Sequence, residues 1–301
     1  MNNNDVQWLE KQLAKQTFYR SLPDSKFSTY FSRFRLLGIR YLLWSISHRT
    51  RINFDVSVQI FNDYLLKIPI FDRDTQSLYY FGLVGLFEQP LTRFLAKNVG
   101  PDEIFYDIGA NYGFYTFLAS RSITEGEIHL FEPNRDIIPY LEQNIPQLSQ
   151  NVFFCDQALS DRVGITTFFS AAESGASGIS TTQTEIVEQE KFTFTSSEVS
   201  CTTLDEYAST HTPPTFIKLD VEGGELQVLE GARNMLQQHR PTIAMEIWLD
   251  EKGQSHSQKA KQFLADLGYK AYYIDSAGSL VTELPDLPNK GYVNMIFKKH
   301  G

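Results

Sequence analysis

Asp107, Ile108, Gly109, Ala110, Asn111, Tyr112 and Gly113 lie between an apolar run, Ile104-Phe105-Tyr106, and a second run, Phe114 to Ala119. The first run reads as a buried strand and the second as a helix, so the stretch between them is a strand-turn-helix corner. Glycines at such a corner let backbone approach a ligand where side chains would collide, and a helix start presents N–H groups that have no intrahelical partner. A dinucleotide corner spaces its glycines G-x-G-x-x-G and aims the helix at a pyrophosphate. Here the glycines are Gly109 and Gly113, and the corner opens on a carboxylate, Asp107, that would meet an anion as like charge. This spacing disfavours an NAD-dependent enzyme. A cofactor carrying an ammonium and a sulfonium, S-adenosylmethionine, suits an acidic corner better.

A second acid, Glu132, closes the next apolar run, Ile128 to Phe131, at the offset of roughly twenty residues where a ribose-binding carboxylate is expected. Its two oxygens can accept from both ribose hydroxyls. Asp156 ends a third strand, Val152 to Cys155, where an adenine amino group would sit. Phe216 to Glu225 repeats the logic of the first corner, with a buried strand ending in Asp220 and Glu222 beside Gly223 and Gly224. Glu246 interrupts the apolar strand Thr242 to Trp248, and a carboxylate there must be paired, hydrogen-bonded or functional. Each acid also has a plainer reading: Asp107 as a turn cap, Glu132 as a solvated strand end, Asp156 as a loop aspartate. Order and spacing taken together favour the cofactor.

The elements that must position these acids follow from periodicity. Strands alternating with helices from 104 to 248, followed by a final strand pair at Tyr269–Ile274 and Tyr292–Phe297, imply a mostly parallel sheet with one late antiparallel strand. Ligands then bind beyond the carboxyl ends of the strands, which gathers Asp107, Glu132, Asp156, Asp220, Glu222 and Glu246 on one rim. Residues 1–63 read as a helical amino-terminal extension, 64–100 as a hairpin and lid segment, and 101–301 as the main domain. The hairpin is expected between Tyr64–Phe71 and Leu78–Phe81, and Glu88 in the following loop is placed either to reach the cofactor's ammonium or to stand in water. A helix is expected over Asn134–Asn144 with Pro139 as an awkward interior residue. The Ser/Gly-rich stretch 171–182 reads as a substrate lid or a connector. His129 reads as structural, and His211, before Pro213-Pro214, as a loop histidine within reach of the site or solvated.

Composition bounds the partners. A net charge of −9 gives no basic field for nucleic acid. Cys155 and Cys201 supply no disulfide framework, the amino terminus lacks the form of a secretory signal, and no apolar run approaches the roughly twenty residues that span a bilayer, so the cytoplasm is the expected home. Within residues 26–51, apolar positions flanked by Arg33, Arg35, Arg40, Arg49 and Arg51 read either as a helix packed on the main domain or as a peripheral contact with a membrane or an acidic protein.

The quoted corners, together with Phe131-Glu132-Pro133-Asn134, Ala158-Leu159-Ser160-Asp161, Thr203-Leu204-Asp205 and Val228 to Ala232, resemble the FkbM-type family of class I S-adenosylmethionine-dependent methyltransferases over roughly residues 80–250. The Asp220-Val221-Glu222-Gly223 element is the distinctive part. The resemblance implies a Rossmann-like sheet in which Asp107, Gly109, Asn111 and Gly113 line the methionine end of the cofactor, Glu132 its ribose and Asp156 its adenine, with Tyr112 and Ala158 among the cofactor-binding positions. It puts Asp220 and Glu222 facing the transferred methyl. Glu88 matches a Glu-Pro segment that Gln89 interrupts here. The family includes O-methyltransferases of sugars and of polyketide hydroxyls, and O-methylation of a hydroxyl on a sugar, glycan or related natural product is the expectation; an alcohol acceptor needs a nearby base, for which Asp220 or Glu246 is the candidate, with Glu222 orienting it. A divalent ion at Asp220 lacks an identifiable third ligand. A cofactor-fold scaffold that docks a pathway partner without catalysis is the rival.

Overall fold

The computed structural model describes residues 1–21, 37–70, 75–85, 88–148, 151–171, 194–248, 256–284 and 292–299, with the side chains of Ala171, Phe194, Trp248 and His256 left aside. The Ser/Gly-rich stretch 172–182 and Arg33 and Arg35 lie outside the described residues.

The chain opens with helix α1 (Asn3–Ser21), whose Leu9 and Leu13, one turn apart, are buried in the main core. Its first turn is tied down by charge: Arg121 donates to both oxygens of Asp5 at 2.9 and 3.0 Å and to Asp63 at 2.7 Å. The extension is thus packed on the main core. Helix α2 (Ile39–Thr50) follows, then strands β1 (Asp55–Ile60) and β2 (Tyr64–Pro69), helix α3 (Thr75–Phe81) and helix α4 (Gln89–Asn98).

The hairpin differs from expectation. Strand β2 pairs with β1 in the register Ile60↔Tyr64 to Asp55↔Pro69, while Leu78–Phe81 is helical. Asp55–Ile60 alternates polar and apolar residues and buries Val58 and Ile60 alone, a weaker signal than the unbroken apolar runs downstream. Its turn places Phe61 and Asn62 at positive φ, and the Gln59 amide closes it by donating to the Asn62 carbonyl at 2.6 Å.

The core then runs β3 (Ile104–Ile108), α5 (Phe114–Ser120), β4 (Glu127–Phe131), α6 (Ile138–Asn144), β5 (Asn151–Cys155), β6 (Ala158–Leu159), β7 (Gly164–Ala171), β8 (Phe194–Thr202), α7 (Leu204–Ala208), β9 (Phe216–Leu219), α8 (Glu225–Glu230), α9 (Arg233–His239), β10 (Thr242–Trp248), α10 (His256–Asp266), β11 (Lys270–Ile274), β12 (Leu280–Val281) and β13 (Tyr292–Lys298). Pro139 sits in the first turn of α6, where its missing N–H would have no intrahelical partner, so it starts the helix and kinks nothing.

The main sheet has the order β12-β11-β13-β10-β9-β3-β4-β5. Strands β5, β4, β3, β9 and β10 are mutually parallel, and β13 inserts antiparallel between β10 and β11. The late antiparallel strand is therefore as expected, with the short β12 added antiparallel at the edge. Neighbouring residues on β3 serve opposite faces: Phe105 belongs to the core with α1 and α5, Tyr106 to the core with α8 and α10. β6, β8 and β7 form a separate three-stranded sheet. From β3 the chain winds outward to β5, and from β9 it winds the other way, so the strand order reverses between β3 and β9. That crevice is the ligand-binding position of a doubly wound sheet.

Candidate active site

Strands β3 and β9 put Asp107 and Lys218 opposite one another in register, on the same face. Lys218 is buried in an otherwise apolar strand. Its ammonium donates to the Gly109 carbonyl at 3.0 Å and lies 3.3 Å from Asp220 Oδ2 and 3.9 Å from Asp107 Oδ1. Burial alone would lower the lysine's pKa, but the charges of Asp220, Asp107 and Glu88 outweigh it and hold the ammonium above its ordinary value. Sequence reasoning passed over this residue, because a lysine inside an apolar run carries no signal of its own until its neighbours are known.

Asp107 has no exposed surface. Its Oδ2 accepts from the Thr116 hydroxyl at 2.8 Å, and its Oδ1 accepts no hydrogen bond among the described residues. Burial raises its pKa against the opposing pull of Lys218. Gly109 is needed for a reason other than ligand approach: at φ +72°, a Cβ there would lie 1.8 Å from the Asp220 carbonyl oxygen. The two corners touch backbone to backbone at this point. Gly113, also at positive φ, precedes α5, and a Cβ there would lie 3.1 Å from the Leu141 side chain.

Glu132 leaves the end of β4 almost buried, accepting from the Asn111 N–H at 2.8 Å on one oxygen and the Asn134 N–H at 2.9 Å on the other. Each oxygen keeps a lone pair. Burial pushes its pKa up to about 7, against those two hydrogen bonds. Asn111, at φ 50°, turns its own side chain to accept from the Tyr112 N–H at 2.7 Å. The Tyr112 ring is buried edge-on against Tyr140, so core packing takes up the side chain. Asp156 is exposed just past β5, beside Glu132's strand, and Ala158 is buried in β6 opposite Cys201.

Glu88, at the start of α4, links three elements: it accepts from the Tyr115 hydroxyl on α5 and from the Asn294 amide on β13, the latter at 3.2 Å. Burial and the charge of Asp220 raise its pKa. Glu246 on β10 stands in register with Asn294. Burial, then the charges of Asp220, Glu222, Glu88 and Glu225, lift its pKa well above its ordinary value. Glu222 adopts φ 53°, a left-handed conformation that non-glycine residues rarely hold. The turn carrying it is closed by Glu225, which accepts from the N–H groups of Val221 and Gly223 at 3.4 and 3.1 Å. Glu225, Tyr115 and Asn294, like Lys218, had no role in the sequence reading.

The fold therefore brings Glu88, Asp107, Glu132 and Asp220 around the buried Lys218, with Glu222 and Glu246 beside Asp220 and Glu88 and with Asp156 a strand further out. Of the two readings of His211, a loop histidine within reach of the site or a solvated one, the first does not hold. The residue precedes the amino end of β9, opposite the rim, and stacks on Tyr207 at 3.9 Å between ring centroids. His129 is buried between Glu127 and the Tyr207 hydroxyl, as a structural residue would be. Among the described residues no group of three His, Cys, Asp or Glu side chains is arranged to hold a metal ion. A cavity of about 320 Å³ lies elsewhere, lined by Trp8, Lys15, Arg40, Gln59 and Tyr80, and none of the rim acids reaches it.

A doubly wound sheet with one strand inserted antiparallel near its edge, and acids at the strand-order reversal, defines a Rossmann-like class I methyltransferase fold. Residues 107–271, more than half of the chain, match the Methyltransferase FkbM domain, and the chain belongs to that family. It is 31% identical over 153 residues to the hexuronic acid methyltransferase AglP of Haloferax volcanii, a match covering 50% of this chain and 58% of that protein. The chain thus spans less than two thirds of the length of that curated relative. Among solved structures, the methyltransferase FkbM of Methylobacillus flagellatus is similar at TM-score 0.44 and 16% identity, over 66% of this chain and 44% of that one. Fibrillarin of Aeropyrum pernix, solved with natively bound S-adenosyl-L-methionine, is similar at TM-score 0.42 and 13% identity, over 70% and 76% of the two chains.

Proposed function

We propose that the chain is an S-adenosylmethionine-dependent O-methyltransferase acting on a hydroxyl of a sugar or glycan. The observation that carries this reading is the acid cluster at the β3/β9 crevice, where Asp107, Asp220 and Glu88 act on the buried ammonium of Lys218 and the charges of Asp220, Glu222 and Glu88 in turn bear on Glu246. A crevice with surplus negative charge favours a cationic ligand over a pyrophosphate. The buried Asp107 Oδ1, without a hydrogen-bond donor among the described residues, adds to that surplus.

Bound there, the cofactor supplies a methyl group already activated on a sulfonium. The protein's own contribution is positioning and proton handling. Glu132 offers its remaining lone pairs to the ribose hydroxyls. Asp156, exposed beside it, is the acid for the adenine amino group. Lys218 pins Asp220 and the Gly109 carbonyl, fixing the two corners relative to one another. Asp220 is held in this ion pair, so Glu246, made more basic by burial and surrounding acids, is in its ionised form the stronger proton acceptor for an attacking hydroxyl. Glu222 sits on the turn between them. General-base help of this kind is worth about a hundredfold to ten-thousandfold.

The acceptor class draws support from the relative named as a hexuronic acid methyltransferase. The test is release of S-adenosylhomocysteine from S-adenosylmethionine with a panel of neutral and uronic-acid saccharides. Turnover with at least one saccharide, reduced about a hundredfold or more in Glu246→Gln with cofactor affinity kept, supports the reading. Cofactor binding with no turnover on any of them would favour the scaffold instead.

A further inference from the structure

Helix α2 carries large apolar side chains on both sides, with Tyr41, Leu43 and Trp44 packed against the core and a second set facing outward. It buries Tyr41, Ser45 and Ser47, and the Ser47 hydroxyl is spent on the Ile52 carbonyl at 2.6 Å. Its outward side carries Ile39, Leu42 and Ile46, exposed at 63, 43 and 48%, at the i, i+3, i+7 spacing of a single helical stripe. The chain that follows adds Ile52 and Phe54, exposed at 61 and 39%. Lone exposed apolar residues need no explanation, but a stripe continued by two further large apolar side chains does.

The charges of this segment are of one sign. Residues 37–54 contain Arg40, Arg49 and Arg51 and no Asp or Glu, in a chain of net charge −9, and Arg40 turns inward to donate to the carbonyls of Tyr79 and Tyr80 at 3.1 and 3.2 Å, so Arg49 and Arg51 are the two beside the stripe. Arg49 continues the stripe by one more turn and, like Arg51, is exposed. An apolar stripe edged by arginines, on an otherwise acidic molecule, is complementary to a surface that is apolar within and anionic outside. Arginine stems can lie along the apolar layer while their heads stay at its boundary. No helix of the described residues is long and apolar enough to cross a membrane.

The geometry points to α2 and the Arg51–Phe54 segment as a peripheral docking surface for an anionic lipid bilayer, holding the protein on the membrane without spanning it. This surface is independent of the crevice between β3 and β9.

The experiment is co-sedimentation of the full chain with vesicles of phosphatidylcholine alone and of phosphatidylcholine with phosphatidylglycerol, at low and high salt. Binding to the anionic vesicles, weak binding to the neutral ones and release by salt are expected. Ile46→Glu, at an exposed position, should keep the melting temperature and weaken vesicle binding roughly tenfold or more, and Arg49→Glu should weaken the anionic preference. No sedimentation with either vesicle, or equal binding by Ile46→Glu, overturns the inference. So does a concentration-dependent dimer in analytical ultracentrifugation that Ile46→Glu abolishes, since the stripe would then belong to a second copy of the chain.

Discussion

Lys218 and Gly109 lock the two corners of the crevice together: the ammonium donates to the Gly109 carbonyl at 3.0 Å, and a Cβ on Gly109 would strike the carbonyl of Asp220, the acid paired with that same lysine. One cation and one missing side chain thus set the spacing between the end of β3 and the end of β9.

Lys218→Met should be severely destabilising. Removing one partner of a buried ion pair costs about 3–5 kcal/mol, because the other charge stays behind in a dry place. Asp107, with no exposed surface, is that charge. Its pKa is already raised by burial and rises further without the lysine, so stability is best retained at low pH, where Asp107 is protonated, and is lost as pH rises through its folded-state pKa. Urea unfolding at pH 5 and pH 8 should show the larger loss at pH 8. Equal losses at both would mean that Lys218 stabilises by packing alone.

Gly109→Ala should cost about 3 kcal/mol or more, combining a strained left-handed backbone with a collision against main chain that cannot rotate away. Gly85→Ala is the control, since nothing lies within 4 Å of a Cβ there, and surface changes of that kind stay within about 0.5 kcal/mol. Thermal melting of the two variants compares them directly, and similar melting temperatures would refute the close approach.

Much of this site is legible in the sequence because its parts are local. Asp107 to Gly113 and Asp220 to Gly224 each declare a strand end, a turn and a helix start within a few residues, and the sheet order follows from alternating strands and helices. What is not legible is long-range. The bond from Asn294 to Glu88 joins residues 206 positions apart, and neither residue type announces it. Lys218 reads as an interruption of a strand until β3 supplies Asp107 beside it. The true hairpin partner is hidden because alternation in Asp55–Ile60 is fainter than the apolar runs around it, and Pro139 reads as disruptive only when the helix is started at Asn134 rather than Ile138. His211 is close in sequence to the second corner yet at the wrong end of its strand.

Asn294 and Glu88 should show a coupling of about 1.5–3 kcal/mol in a double-mutant cycle of Asn294→Leu and Glu88→Met, the worth of a hydrogen bond to a charged group. Denaturant unfolding of the singles and the double supplies it. A coupling indistinguishable from zero would say that the amide does not hold the carboxylate.

Cofactor affinity should depend on pH through Glu132. Its pKa is pushed up to about 7 by burial, so the carboxylate is mostly neutral at pH 6 and mostly ionised at pH 8. Only the ionised form accepts fully from both ribose hydroxyls, so S-adenosylhomocysteine should bind more tightly at pH 8 than at pH 6. Glu132→Gln should bind weakly at both. The contribution of this group to folding runs the other way: with a folded pKa above the unfolded value near 4.3, stability is greatest when it is protonated and declines between about pH 4.3 and 7. An affinity that is flat across this range in the wild type would remove Glu132 from the ribose.

The most direct measurement is isothermal titration of the purified chain with S-adenosylhomocysteine, wild type against Glu132→Ala, with melting temperatures recorded for both. Saturable binding to a single site, weakened about a hundredfold by the substitution while the fold survives, is the result expected if two charge-assisted hydrogen bonds are lost at the crevice. Absence of binding to the wild type at millimolar ligand, or equal affinity in the variant, would contradict it.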